Sequence, residues 1–303
     1  MTIASKAVIL GFWLLLLASN ALGEKPAFVL VKTRSSTIYD QVEKHLVRQL
    51  EEQGIVQLDL EDPIALRQRI LEEAPQVVIT LGTRATKVVA NLNIPQPVVF
   101  STVLTGRESL RLSRAARERR LYGIELFFSP ETLLFWIKKL FPRTRTIGLM
   151  CFERCPRVKA LSQKAPDFDL KVVLVELKSP RELNQSLWTL AQQADLIVAL
   201  PDYRLYNPAT IPRIILFSIE HALPLVGISR NYAGAGAVLA LDWDWQDLAT
   251  QTAELSRRIL AGDRPQKAIH PPRKARPIIN IRTARLIGLH LPQKILNQST
   301  IIE

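Results

Sequence analysis

Short apolar, β-branched runs alternate with amphipathic stretches along most of this chain. The first runs are Ala27–Val31, Val56–Leu60, Val77–Leu81 and Val98–Phe100. Between them Ile38–Gln53, Pro63–Glu73 and Arg84–Leu92 carry apolar residues at helical spacing. In the first stretch Val42, Leu46, Gln49, Leu50 and Gln53 trace one stripe, His45 and Arg48 fall outside it, and Gly54 stops it. A second set follows. Its strands are Thr146–Cys151, Lys171–Glu176, Asp195–Leu200 and Leu225–Ile228, and its helices are Pro156–Ala165, Arg181–Gln193 and Pro208–Ala222. Continuous apolar strands separated by helices predict parallel sheets covered on both faces. The expected fold class is therefore α/β, with two similar three-layer α/β/α lobes and mostly parallel sheets.

The two sets echo one another, because the fourth strand of each follows a Pro-containing turn, at Pro95–Pro97 and at Pro224. The join lies near Arg107–Leu126. Ser129-Pro130-Glu131-Thr132 then opens a helix to about Leu140, with Ser129 as its cap. Leu248–Leu260 is a further helix, Arg264–Arg276 a basic loop, Pro277–Ile281 a strand and Thr283–Leu289 a short helix.

Composition changes the picture at the amino terminus. Lys6, the apolar run Ala7–Ala18 and the small-residue exit Ser19–Gly23 form a secretory signal peptide over residues 1–23, cut near Ala21 or Gly23. The run is shorter than the ~20 apolar residues of a membrane span. An exported, periplasmic protein is expected. Hydrophobic residues at 48% and charged residues at 22% support full cores and exclude a disordered chain. The net charge of +12, or +11 without the signal, resembles that of a nucleic-acid binder, but export argues against that partner. Six arginines (107, 111, 114, 117, 119 and 120) crowd the join, as a solvated helix face or as a docking surface for an acidic partner.

No catalytic constellation stands out. His45, His221, His270 and His290 fall in no zinc spacing, and no nucleophile elbow or phosphate loop occurs. Gly234-Ala235-Gly236 reads as a turn. Neither an enzyme nor a cofactor is expected; an exported enzyme on a two-lobe α/β scaffold is the less favoured alternative. Cys151 and Cys155 are spaced to form a disulfide in an oxidising compartment, or to remain as two thiols.

In open α/β sheets ligands bind at the carboxyl ends of the strands. Those ends carry Thr33, Arg34 and Ser35 after the first strand, Gly82 and Thr83 after the third, and Ser101 and Thr102 after the fourth. Such residues either cap helices or offer donors to an anionic group. In the second set the ends carry Asp202 and Tyr203, then Arg230 and Tyr232. An aspartate and two phenols suit a ligand with a cationic group and an apolar or planar part. Asp202 serves equally well as a turn or cap residue before Pro208.

The chain resembles a known family. Ile279–Pro292 (INIRTARLIGLHLP) is similar to the closing "NLKTAKALGLEIP" motif of ABC-transporter substrate-binding proteins of the group related to tryptophan/tyrosine transport components. Ile301-Ile302-Glu303 resembles that family's terminal "VIE", and Ile259–Pro265 its "KILKGEKP". Ile79–Thr83 and Pro97–Phe100 add weaker support. The resemblance implies a type I periplasmic-binding-protein fold, with residues 24–125 plus 235–262 as lobe 1 and 126–232 plus 265–303 as lobe 2, joined by a hinge crossed three times. It implies a small polar, amino-acid-like ligand in an interlobe cleft. It also implies an ABC permease as partner or, alternatively, a membrane sensor; a monomer is expected. There are departures. Thr102-Val103-Leu104 replaces the family's Asp-Pro, Arg120–Gly123 its "NVTG", and Asp202-Tyr203 its Asp-Asn, so the pocket is altered.

Overall fold

The computed structural model describes residues 25–33, 37–152 and 155–303. The expected signal segment, residues 1–23, and the candidate residues Arg34 and Ser35 lie outside them. In chain order the elements begin β1 (Phe28–Lys32), α1 (Thr37–Leu50), β2 (Ile55–Asp59), α2 (Pro63–Glu73), β3 (Val77–Leu81), α3 (Thr83–Val89) and β4 (Val98–Val103). They continue with α4 (Gly106–Leu110), α5 (Arg114–Arg117), β5 (Leu121–Glu125), α6 (Pro130–Leu140), β6 (Thr146–Phe152), α7 (Pro156–Lys164), β7 (Lys171–Leu177) and α8 (Leu183–Gln193). Next come β8 (Leu196–Val198), α9 (Ile211–Glu220), β9 (Leu225–Gly227), α10 (Arg230–Ala235), β10 (Leu239–Trp243) and α11 (Trp245–Leu260). The chain closes with β11 (Ile269–His270), β12 (Ala275–Asn280), α12 (Ile281–Leu286), α13 (Gln293–Leu296) and β13 (Thr300–Ile302).

Local chemistry sets many of the ends. Asp62 caps α2 by accepting from the Ile64 and Ala65 backbone N–H groups, with Pro63 at the first helical position. Ser129 caps α6 by accepting from the Thr132 N–H. Val42, Leu46 and Leu50 of α1 are fully buried, while Arg48 on the other side is exposed.

One sheet has six strands in the order β11-β5-β4-β3-β1-β2, the other seven in the order β13-β12-β10-β9-β8-β6-β7. In the first, β1 to β4 stand in the order 2-1-3-4; in the second, β6 to β9 repeat it as 7-6-8-9. The β1–β2, β1–β3, β3–β4, β6–β7, β6–β8 and β8–β9 pairs are all parallel. The duplication visible in the sequence is thus one of strand order. β12 runs antiparallel to β10 and parallel to β13.

The chain divides into two compact units. The first takes the described residues up to Thr102, Leu110–Gly123 and Thr252–Ala268; the second takes Val103–Ser109, Ile124–Gln251 and Ile269–Glu303. The sequence-based division put residues 103–109, 124–125 and 235–251 in the first lobe and 265–268 in the second, whereas the contacts place each in the other unit; the segment 235–251 shows why. β10 lies there and pairs with β9 and β12 of the second unit.

Five elements ahead of α11 went unread in the sequence. The Arg-rich join holds two short helices and the wholly buried strand β5. The presumed turn at Gly234 lies in and just after α10. β10 (LALDW) has no β-branched residue, so its strand state comes from its neighbours rather than from local preference. The basic join is also less bare than its composition implies. Glu118 pairs with Arg114 and Arg120, and Glu125 pairs with Arg107.

Candidate functional site

The strand order reverses between β1 and β3 in one sheet and between β6 and β8 in the other. The carboxyl ends at such a switch point form the binding crevice of open α/β sheets.

In the first unit Thr33 follows β1, and its Oγ1 accepts from the Ala85 N–H at 3.1 Å. It caps the first turn of α3 instead of offering a hydroxyl to a ligand. Gly82 adopts φ 88°, and a Cβ there would lie 2.8 Å from Cζ and Oη of Tyr39. The Tyr39 phenol of α1 therefore rests on this glycine, a contact that sequence reading missed. Its only advance signal is a glycine directly after a buried strand. Thr83 is half-buried at the start of α3. Ser101 points inward, since its Oγ accepts from Thr252 Oγ1 of α11 at 3.0 Å and the residue is fully buried. Thr102 stands at φ 60°, a left-handed conformation that β-branched residues rarely take, with its hydroxyl donating to the Ser101 carbonyl at 2.6 Å. Lys32 is neutralised by Glu43 at 2.5 Å. That partner, ahead of burial, raises the lysine above its ordinary range.

In the second unit Asp202 is a tie between strand ends. Its carboxylate accepts from the Phe152 N–H at 3.2 Å and the Arg204 N–H at 3.1 Å, and Arg204 donates to the Phe152 carbonyl at 3.1 Å. Its own carbonyl accepts from Leu205 and Tyr206. This is the turn role, and it leaves little of the carboxylate for an ammonium group. Tyr203 is 80% exposed. Arg230 forms a 3.5 Å surface pair with Asp242. Such pairs contribute about 0–1 kcal/mol.

Two phenols remain. Tyr206 is buried in the core of the second unit, and among the described residues its hydroxyl has no hydrogen-bond partner. Burial makes it a weaker acid than an ordinary phenol, and the neighbouring Tyr232 and Asp202 push the same way. Tyr232 of α10 is half-buried against the same core, and burial pushes its phenol up to about 12. Both stay neutral donors at physiological pH. Tyr206 was missed in the sequence because it lies four residues beyond Asp202 in an irregular segment.

Gly227 holds Tyr232 in place. A Cβ there would meet Tyr232 Cβ at 2.3 Å, an atom too close to the backbone to rotate away. Gly227→Ala is expected to displace α10 and to cost about 1–3 kcal/mol, the usual penalty of overpacking. A thermal melt checks it; an unchanged melt would show that α10 yields freely.

Beyond β6, Arg157 at the start of α7 is buried. It reaches Glu108 at 2.7 Å and Glu125 at 3.4 Å, with its guanidinium 4.1 Å from the Phe127 ring centre. Arg107 approaches Glu125 at 3.0 Å from the solvent side. Cys151 and Cys155 are free thiols, not a disulfide. Among the described residues no group of His, Cys, Asp and Glu is arranged to hold a metal ion. No described helix is long and apolar enough to cross a membrane.

The closing motif of the sequence is structural. Asn280 accepts from the Thr283 N–H at 2.8 Å to cap α12, and its Nδ2 donates to the Ala233 carbonyl at 2.8 Å. Gly288, at φ 70°, lies just past the end of that helix.

Comparison with known proteins agrees with this architecture. The profile of the ABC transporter substrate binding protein family matches residues 55–302. No curated protein matches by sequence. Among solved structures, an ABC domain from Streptococcus pneumoniae in complex with L-Trp is 17% identical, covers 91% of this chain and 100% of its own, and gives a TM-score of 0.58. A ligand-free, open substrate-binding protein with adhesive properties from Clostridium difficile is 16% identical over 91% of this chain and 98% of its own, with a TM-score of 0.69. A conserved domain protein from Vibrio cholerae is 19% identical over 92% and 100%, with a TM-score of 0.59. With its two mostly parallel α/β sheets and a profile match across most of its length, the chain belongs to the ABC transporter substrate-binding proteins, solute-binding components of the type I periplasmic-binding-protein fold.

Proposed function

We propose that this protein is an exported, periplasmic monomer that captures a small amino-acid-like ligand with a planar or apolar side chain and presents it to an ABC permease, without covalent chemistry. The carboxyl strand ends supply the contacts. In the second unit Tyr206 and Tyr232 donate from neutral phenols and pack on the ligand's apolar part. The observation that carries this reading is the buried Tyr206 hydroxyl, which has no hydrogen-bond partner among the described residues. A buried donor left unmade costs about 1–3 kcal/mol, and a ligand acceptor would recover that cost. The L-Trp held by the similar Streptococcus pneumoniae domain gives the ligand class to try first.

Thermal shift across a panel of L-amino acids, beginning with L-tryptophan, tests the proposal. A bound ligand at 100 times its Kd stabilises by about 2.7 kcal/mol. Tyr206→Phe is expected to weaken binding about tenfold while leaving the free protein as stable or more so, since it removes a stranded polar group. A panel without any shift, or full affinity in the phenylalanine variant, would overturn the reading.

A further inference from the structure

Cys151 and Cys155 have no part in the ligand contacts proposed above, yet the fold brings them together. Cys151 lies near the carboxyl end of β6 and is fully buried. Its partner across the sheet is Glu176 of β7. Cys155 is the cap residue before α7 and is only half-buried. With Glu176, Leu174, Val158, Lys159 and Ser162 it lines an open surface cavity of about 520 Å³. Glu176 thus neighbours Cys151 in the sheet and shares the cavity wall with Cys155. Cys155 lies close enough to Cys151 to disfavour its ionisation, after burial itself. Cys155 is reached from the cavity, whereas Cys151 is fully buried.

We propose that Cys155 and Cys151 form a thiol–disulfide exchange site, in which Cys155 accepts a small-molecule disulfide from the cavity and Cys151 resolves it into an internal disulfide. The order follows from access, which governs such exchange together with nucleophilicity. In the first step the Cys155 sulfur attacks one sulfur of the incoming disulfide. A mixed disulfide forms, and the departing thiolate takes up the Cys155 proton. In the second step the Cys151 sulfur attacks that of Cys155. The internal disulfide forms, and the second thiolate leaves with the Cys151 proton. The protein is oxidised by two electrons and the small disulfide is reduced to two thiols. Burial, with the neighbouring Cys155 thiol, pushes Cys151 up to about 12, which suits a thiol that reacts only when a bonded partner is held against it.

The test incubates the full reduced chain with oxidised glutathione and follows it by intact mass and peptide mapping. The wild type is expected to lose two hydrogens without retaining glutathione. Cys151→Ser is expected to trap one glutathione on Cys155, and Cys155→Ser to remain unmodified. Cys151→Ala, which keeps a small apolar group in the buried place, should trap the same adduct if the serine disturbs the strand. A stable glutathione adduct on the wild type, an adduct on Cys151 in Cys155→Ser, or no reaction in any variant would overturn the proposal.

Discussion

Replacing Arg157 by alanine is expected to destabilise the second unit by about 3 kcal/mol, at the low end of the range for breaking a buried ion pair. Arg157 and Glu125 have side chains only 7% and 6% exposed. Removing the guanidinium strips Glu125 of its buried partner and empties the place stacked on Phe127. Arg107 still reaches Glu125, but from a half-exposed position, and that keeps the loss from rising further. The loss would shrink if both partners of the pair were replaced together. Arg157→Met combined with Glu125→Gln leaves no buried carboxylate and is expected to recover most of the loss. Hydrogen exchange resolved by segment checks this, because it reports β6 to β9 separately from the first unit. A loss under about 1 kcal/mol, the value for an exposed pair, would mean that water reaches the cluster.

Phe100→Ala is expected to cost the first unit about 3–5 kcal/mol. Phe100 is fully buried in β4, and its ring occupies the space that Gly123 of β5 leaves by lacking a Cβ. An added Cβ would lie 2.5 Å from ring atoms Cγ and Cδ1 and from the Phe100 carbonyl oxygen. The alanine variant leaves a ring-sized void that the glycine cannot fill. Phe100→Leu keeps most of the volume and should cost nearer 1.5 kcal/mol. Urea unfolding read from exchange in β1, β3 and β4 measures both. Equal losses in the two variants would show that volume is not what the site demands.

The strand–helix alternation was readable because it is local. Val77–Leu81 and Pro63–Glu73 were bounded to the residue, since a five-residue apolar run and an Asp-Pro cap define their own ends. β5, β10 and α10 were not, because Gly123, Asp242 and Gly234 dilute the pattern and pairing across the sheet holds them. The candidate site shows the same divide. Placing it at the carboxyl strand ends needed only the order of elements. Which side chains are free there did not follow. Thr33, Ser101 and Asp202 turned inward to satisfy Ala85, Thr252 and Phe152, partners 52, 151 and 50 residues away in sequence. Tyr39, Tyr206 and Arg157 carry no motif. Their importance lies in what surrounds them.

The sequence by itself determined the α/β class, the repeated set of four strands and the family, since periodicity, caps and the closing motif are properties of neighbouring residues. Even that motif turned out to fix a helix cap at Asn280 rather than a ligand. Only the tertiary structure decided the shared 2-1-3-4 strand order, the place of residues 235–251 in the second unit, and the stranding of the Tyr206 hydroxyl. A hydrogen bond made or missing in a buried place depends on groups far apart in the chain, and only folding brings those together.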